Sequence, residues 1–296
     1  GKCEVPTWIE IKNSQITFHE AGELWGMKVT PAHNELQRRL DEARGCRVKC
    51  GIISIGPAGE NLVKYAAVIS GERAAGRSGV GAVFGSKNLK AVVATGNHEA
   101  PIDNLEKHNK HNLKWIEMLR KHPLTGNQLP KMGTAGLVSS MQVRGILSTK
   151  NYELGQYDEF DKVSGETLAE EYNIVNKGCM SCPMKCSRTV KVNGHEVKGP
   201  ELETLGLLGG GILNEDIEKI FKWNHVIDEL GMDTISAANT VAWAMEANEK
   251  GLWSNGLEFG KTSNVSKTFE DIAYGRGIGK ELALGSKRLS EKYGGK

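Results

Sequence analysis

The chain is predicted to be an α+β protein, a β-rich base over residues 1–100 followed by a mostly helical part over residues 101–296. Three observations carry this. The first hundred residues hold short apolar runs separated by polar or glycine turns. From about residue 101 the apolar residues recur at helical spacing, and the composition shifts over residues 97–103.

Trp8-Ile9-Glu10-Ile11 and Gln15-Ile16-Thr17-Phe18, joined by the polar Lys12-Asn13-Ser14, read as a hairpin. Thr30-Pro31 is placed to start a helix, Thr as cap and Pro in the first turn, carrying Leu36 and Leu40 inward. Ile52–Ile55, ending in Gly56-Pro57, and Ala91–Ala94, ending in Gly96, suit buried strands. The glycine-rich stretch 71–85 lies between them. Helical spacing then fits Leu105–Lys121, Glu166–Lys177, Asp216–Leu230, Thr234–Lys250 and Ile278–Lys292. Asn214 suits the N-cap of the third and Gly251 the C′ position of the fourth. There is no internal repeat, low-complexity tract or heptad run.

The 38 Lys+Arg nearly balance the 36 Asp+Glu, for a formal charge of +2. This excludes a charged disordered tail and argues against binding nucleic acid by bulk charge. No apolar run approaches ~18 residues, so no membrane span is expected. Gly1-Lys2-Cys3-Glu4 offers no apolar leader. Glycine is high, 36 of 296 residues, against a usual ~7%. Such an excess suggests backbone packed closely against something other than side chains, such as a ligand.

Three of the six cysteines form Cys179-x2-Cys182-x3-Cys186. A tight triplet in a leaderless chain reads as a metal or cluster site in a reducing compartment, and the cytoplasm is the expected location. Pro183 argues against a regular helix here, so a loop wrapping the metal is expected. Lys177, Lys185 and Arg188 would offset thiolate charge. Thiolate-only ligation favours iron–sulphur chemistry over zinc, and three unrelated buried thiols are the plainer alternative. A 4Fe-4S cluster needs a fourth ligand, from Cys3, Cys46, Cys50 or outside this chain. Cys46 and Cys50 flank an apolar run and read as core residues.

The segment from Gly56 to Lys90 gathers small residues with Arg73, Arg77, Lys87 and Lys90, a pattern suited to a phosphorylated cofactor. Its Gly76-x-x-Gly79-x-Gly81 spacing is neither a Walker loop nor the dinucleotide fingerprint, and a plain turn region is the alternative.

Together, Ile55-Gly56-Pro57-Ala58-Gly59-Glu60-Asn61-Leu62, Arg73-Ala74-Ala75-Gly76-Arg77, the run Gly81–Lys90, the cysteine triplet, Gly199-Pro200-Glu201-Leu202-Glu203-Thr204 and Asp228-Glu229-Leu230-Gly231-Met232-Asp233-Thr234-Ile235-Ser236 resemble the tungsten-containing aldehyde:ferredoxin oxidoreductase family. The likeness runs in order over almost the whole chain. It implies a bis-pterin tungsten or molybdenum centre beside a 4Fe-4S cluster held in part by Cys179, Cys182 and Cys186. Arg73, Ala74, Gly76 and Arg77 would meet the tungstopterin phosphates and their bridging Mg2+. Asp228, Met232 and Asp233 match the family's Asp-x-x-Gly-Leu-Asp pterin motif; a carboxylate there can accept from pterin N–H groups, and a solvated helix end is the plainer alternative. Glu203 falls at the candidate active-site acid/base position, where burial beside a metal centre would raise its pKa. It equally suits an acidic first helical turn. Leu202 stands where the family often has Tyr.

The resemblance further implies oxidation of an aldehyde to a carboxylic acid, with electrons passing to ferredoxin or an iron–sulphur partner subunit. Members are about twice as long. The chain is thus expected to begin inside a partial pterin-binding domain and to end within the helical one, without the fourth cluster cysteine, a second pterin Asp motif and an active-site His. A homo-oligomer is a further expectation, although the Glu of the family's bridging iron site aligns with Lys222. Two alternatives stay open: the tungsten subunit of a class II benzoyl-CoA reductase, acting on an aromatic substrate, and a non-enzymatic iron–sulphur electron-transfer module.

Overall fold

The computed structural model describes every residue except His98, Asn173 and Lys296. The chain forms two compact units, Gly1–His98 with His225–Lys296, and Glu99–Asn224.

In the first unit, β1 (Thr7–Lys12) and β2 (Gln15–Glu20) make the expected hairpin, with Asn13 left-handed at φ 53° in its turn. Then come α1 (Val29–Arg44), β3 (Cys50–Ser54), α2 (Pro57–Glu60), β4 (Val68–Ser70), β5 (Arg73–Ala75), α3 (Val80–Ser86) and β6 (Leu89–Thr95). The sheet order is β2-β1-β6-β3-β4-β5, with β5 at an edge. β1 and β6 run parallel and the other neighbours antiparallel. α1 lays Leu36 and Leu40 onto Trp8, Ala91 and Val93 of the sheet, as its spacing predicts.

Two expectations change. Thr30 does not cap α1: the helix starts at Val29 after Lys28, which makes no side-chain cap bond. Instead the Thr30 N–H donates to Glu229 at 3.2 Å, and its hydroxyl donates to the same carboxylate. A carboxylate brought in from far along the chain answers a free donor at the positive helix end. Cys46 and Cys50 do not share the expected core position: Cys46 is exposed, whereas Cys50 is half-buried and packs against the cluster of Trp8, Leu36 and Val93. The apolar run they flank is an alternating strand with Ile53 turned outward, not a fully buried one.

The second unit holds α4 (Leu105–Lys121), α5 (Leu129–Met132), α6 (Val138–Val143), α7 (Gly165–Glu171), β7 (Val175–Lys177), β8 (Ser187–Val192), β9 (His195–Lys198), α8 (Leu202–Leu208) and the start of α9 (Ile217–Leu230). α4 has its expected bounds and is capped by Asn104, whose side chain accepts from the Lys107 N–H at 2.8 Å. The helix expected over Glu166–Lys177 ends at Glu171, and Val175–Lys177 pairs with β8 in an antiparallel β7-β8-β9 meander. Asn193 and Gly194, at φ 50° and 81°, form the β8–β9 turn. Asn-Gly is a strong hairpin signal that the helical reading passes over. Asp216 rather than Asn214 caps α9, accepting from the Lys219 N–H at 3.1 Å, while Asn214 Nδ2 donates to the Asp216 carbonyl at 3.0 Å.

Beyond His225 the chain returns to the first unit, with the end of α9, α10 (Thr234–Glu249), α11 (Val265–Tyr274), α12 (Gly279–Leu282) and α13 (Ser286–Tyr293). Gly251 follows α10 at φ 68°, as expected. The helix expected over Ile278–Lys292 breaks in two at Gly285, φ 81°. The grouping of residues 225–296 with the sheet is a matter of packing. Its cause is a set of long-range hydrogen bonds that local periodicity does not encode. The Ala67 N–H donates to Gly231 O at 2.8 Å, Asp233 N–H to Tyr65 O at 3.0 Å, and Lys64 N–H to Ala283 O at 2.9 Å.

Candidate functional site

In the sheet unit, residues 65–67 and 231–233 run alongside each other, with an antiparallel bridge between Ala66 and Met232. The approach is close enough that a Cβ on Gly56 would lie 2.4 Å from Leu230 O, and one on Gly231 2.6 Å from Gly56 N. Gly231 is also left-handed at φ 75°, turning the chain between α9 and α10. Asp233 caps α10, its Oδ2 accepting from the Ser236 N–H at 2.8 Å and from the Ser236 hydroxyl at 2.6 Å. It is buried at 7% exposure, not a solvated helix end.

Asp233 Oδ1 faces Gly76, where a Cβ would come within 2.9 Å of it. The structure thus joins Gly76 and Asp233, from two of the sequence motifs. Arg77, next to Gly76, lines a cleft of about 190 Å³ with Lys64, Ser236, Asn239, Ser286, Lys287 and Arg288. Among the described residues, four cations and no Asp or Glu line this cleft, a composition that fits a phosphorylated ligand. Arg73 opens the edge strand β5 opposite Ser70, half-buried, with Ala74 exposed beside it. Asp228 is half-buried in the last turn of α9; Met232 is buried at 1%, so it presents backbone rather than side chain.

Two of the four cations expected here do other work. Lys87 Nζ donates to Gly1 O at 3.0 Å, and Lys90 is fully buried against Glu60 at 2.5 Å. The sequence reading missed Lys64, Lys287 and Arg288, which lack a motif and reach Arg77 only through folding. Most glycines of the stretch also answer to protein rather than ligand: a Cβ on Gly79, Gly81 or Gly85 would meet Lys64 O, Ala67 O or Gly59 O at 2.2, 2.5 and 1.9 Å.

In the second unit, Cys179, Cys182 and Cys186 occupy the expected loop between β7 and β8. Ser181 and Lys185 are left-handed at φ 61° and 46°, and the Cys182 N–H donates to Cys179 O at 3.0 Å. Cys179 is exposed and the other two half-buried, and no disulfide ties any cysteine of the chain. Among the described residues no three Cys, His, Asp or Glu converge on one metal point. The donor set nevertheless suits a soft metal or cluster, and thiolate sites commonly organise as the metal binds. Cys3, Cys46 and Cys50 all belong to the sheet unit.

Arg188, expected to offset thiolate charge, is buried at 1% exposure, its Nη2 donating to Cys186 O at 2.8 Å. Burial pulls its pKa below the usual guanidinium value. Glu203 stands exposed in the first turn of α8. Its neighbour Glu201 is the one engaged, accepting from the Thr134 hydroxyl at 2.5 Å.

Two family descriptions match. Residues 1–96 match "Aldehyde ferredoxin oxidoreductase, N-terminal domain", and residues 110–296 match "Aldehyde ferredoxin oxidoreductase, domains 2 & 3". The tungsten-containing aldehyde ferredoxin oxidoreductase of Pyrococcus furiosus is 40% identical over 99% of this chain and 49% of its own length. That of Thermococcus kodakarensis is 39% identical with the same coverage. The WOR-like subunit of the P. furiosus aliphatic sulfonate oxidoreductase is 28% identical over 99% of this chain and 49% of its own. In fold, the chain is similar to a solved structure of the active-site complex BamBC of benzoyl coenzyme A reductase with 1,5-dienoyl-CoA. The TM-score is 0.81 at 25% identity, covering 99% of this chain and 46% of that one. The chain spans about half the length of the curated relatives it matches. Among the described residues no helix is long and apolar enough to cross a membrane.

Proposed function

The chain belongs to the aldehyde ferredoxin oxidoreductase family, and from that membership we propose that it supplies the pterin-contacting and cluster-bearing parts of a tungsten or molybdenum enzyme. The reaction is the oxidation of an aldehyde with water to a carboxylic acid, with release of two electrons and two protons. The observation that carries the reading is the junction of Gly76 with Asp233. Two motifs far apart in sequence meet where the Asp233 side chain lies against the Gly76 backbone with no room for a Cβ, beside the cationic cleft of Arg77.

Arg73 and Arg77 would hold the pterin phosphates, whose negative charge would also attract a Mg2+, and the backbone N–H groups at Ala74 and Gly76 would donate to the same phosphates. Asp228 and Asp233 would accept from pterin N–H groups, with the backbone at Met232 between them. Cys179, Cys182 and Cys186 would hold a 4Fe-4S cluster, and Glu203 would take up and release a proton at its carboxylate. When bound, the metal–pterin supplies the Lewis acidity and the redox chemistry. Electrons would leave to ferredoxin or an iron–sulphur partner subunit in a reducing cytoplasm.

A second reading rests on the similarity to the BamBC complex: a subunit reducing an aromatic coenzyme A thioester. One experiment sorts the readings. Full-length protein is purified without oxygen, its iron, tungsten, molybdenum, zinc and pterin are counted, and turnover is assayed with aldehydes and with benzoyl-CoA. Tungsten or molybdenum with pterin, iron and aldehyde turnover is expected. Turnover of the thioester alone would favour the second reading. Iron without pterin would leave an electron-transfer module, and zinc alone would overturn every cluster reading.

A further inference from the structure

The largest fully buried side chain among the described residues is not apolar: it is Arg188, on β8 directly after the cysteine loop. Its Nη2 donates to the Cys186 carbonyl at 2.8 Å and its Nη1 to the Met132 carbonyl. Two glycines make room for it. A Cβ on Gly133, itself at φ 60°, would stand 1.1 Å from Arg188 Nη2, and one on Gly199 would stand 2.8 Å from Arg188 Cγ. The next residue after Gly133 extends the connection. Thr134 Oγ1 donates to Glu201 Oε2 at 2.5 Å and accepts from the Leu202 N–H at 3.1 Å, at the start of the helix that carries Glu203. A single guanidinium thus joins the thiol loop to the turn that fixes the start of α8.

Building this costs free energy. A buried cation whose hydrogen bonds go to carbonyls forgoes strong hydration, and Gly133 and Gly199 admit little else beside it. A planar fork of donors can bridge two carbonyls at fixed angles, which a lysine ammonium cannot do with the same geometry. Its hydrogen bonds go to neutral carbonyls, and its charge acts on the Glu201 carboxylate and on Cys186 of the adjacent loop.

We propose that Arg188 is a positioning residue for the metal-bearing loop. It fixes the Cys186 backbone, sets a buried positive charge behind that thiol, and holds the start of the Glu203 helix to the same frame through Gly133-Thr134. The proposal rests on the cluster reading above. Groups that orient metal ligands from behind are typically worth about 10- to 100-fold in metal affinity. A cation close to a cluster also favours its more negative, reduced form.

The test uses full-length protein reconstituted anaerobically with iron and sulphide, comparing wild type with Arg188→Lys and Arg188→Met. Circular dichroism of the apo forms checks the fold; Arg188→Lys, which keeps charge and bulk, is the deciding variant where Arg188→Met does not fold. Iron loss to a chelator should be about tenfold faster in Arg188→Lys. In Arg188→Met the reduced:oxidised ratio at a fixed potential should fall about tenfold, a midpoint lowered by about 59 mV for a one-electron couple. A merely structural arginine would not move the midpoint. Wild-type iron retention and midpoint in a folded Arg188→Lys, with an unmoved midpoint in any folded Arg188→Met, overturn the proposal. Wild-type protein that takes up no iron overturns the cluster reading itself, and the proposal falls with it.

Discussion

Replacing Lys90 by Met would strand a carboxylate inside the sheet unit. Lys90 and Glu60 have side-chain exposures of 0% and 4% and are paired at 2.5 Å. Lys90 Nζ also donates to Met27 O at 2.8 Å, and Glu60 Oε2 accepts from the Gly26 N–H at 2.7 Å. Burial pushes the Glu60 carboxyl up and the Lys90 ammonium down, in each case against the pull of its partner. Desolvation therefore outweighs attraction, and the pair is costly to break rather than strongly stabilising. Removing one member of such a pair costs about 3–5 kcal/mol, and about 3 kcal/mol is already a hundredfold in the folding equilibrium. Without its cation, Glu60 holds a proton in the folded state that the unfolded chain gives up. The deficit of Lys90→Met should thus be largest at neutral pH and shrink as pH falls toward the ordinary carboxylate range. Urea unfolding at pH 7.5 and 5.5, followed by circular dichroism, measures it. The double variant Lys90→Met/Glu60→Leu should return to within about 1 kcal/mol of wild type, since a well-packed apolar replacement of a buried pair is often neutral. A single-variant loss below about 1 kcal/mol, or no rescue by the second substitution, would refute the reasoning.

Three further outcomes are expected. Asp233→Asn keeps an acceptor for the Ser236 N–H, so stability should hold within about 0.5 kcal/mol while the pterin content of purified full-length protein drops; unchanged pterin would remove Asp233 from the site. His33, with Nε2 2.8 Å from Ser54 Oγ, has its pKa lowered chiefly by burial. A depressed folded value means that its contribution is complete above the unfolded value near ~6.5 and is lost as pH falls through the folded one. His33→Gln should therefore flatten the decline of the urea midpoint between pH 7 and 5, and an equally steep decline would count against this. Serine at Cys179, Cys182 or Cys186 should reduce iron per chain after reconstitution, whereas serine at the exposed Cys46 should not; equal iron in all four would show that the triplet is not the ligand set.

The elements readable in the sequence are those whose signals are local. The hairpin at Thr7–Glu20 carries alternation and a polar turn, and α4 carries helical spacing and an Asn cap; both occur with nearly the expected bounds. What misled was local pattern without its partner. Val175–Lys177 continues a helical spacing, but β8 is available to pair with it. Thr30 is a good cap by type, yet Glu229 reaches the same N–H from nearly two hundred residues away. At the candidate site, Arg77 and Asp233 were legible from their motifs. Lys64, Lys287 and Arg288 were not, because a cationic cleft is a property of the assembled surface and no spacing rule relates its members.

The glycine excess has a use besides a ligand. Close backbone approach was the right inference, but the approaching surface is mostly the protein itself. Gly56 meets Gly231, Gly85 meets Gly59, and Gly133 meets the Arg188 side chain. Of the glycines singled out in the sequence, Gly76 packs on a side chain of the candidate site rather than on backbone. This ordering is physically sensible. A site assembled from residues 64–77, 228–240 and 284–288 must close long loops, at an entropic cost that local contacts do not offset. Backbone-to-backbone contacts at paired glycines bring the segments to hydrogen-bonding distance, and the cationic cleft and the buried Asp233 follow from that closure. Widening the Gly56–Gly231 contact by one methyl should therefore weaken the proposed phosphate binding at Arg77, read as a lower pterin content of purified full-length protein, without altering a side chain that lines the cleft.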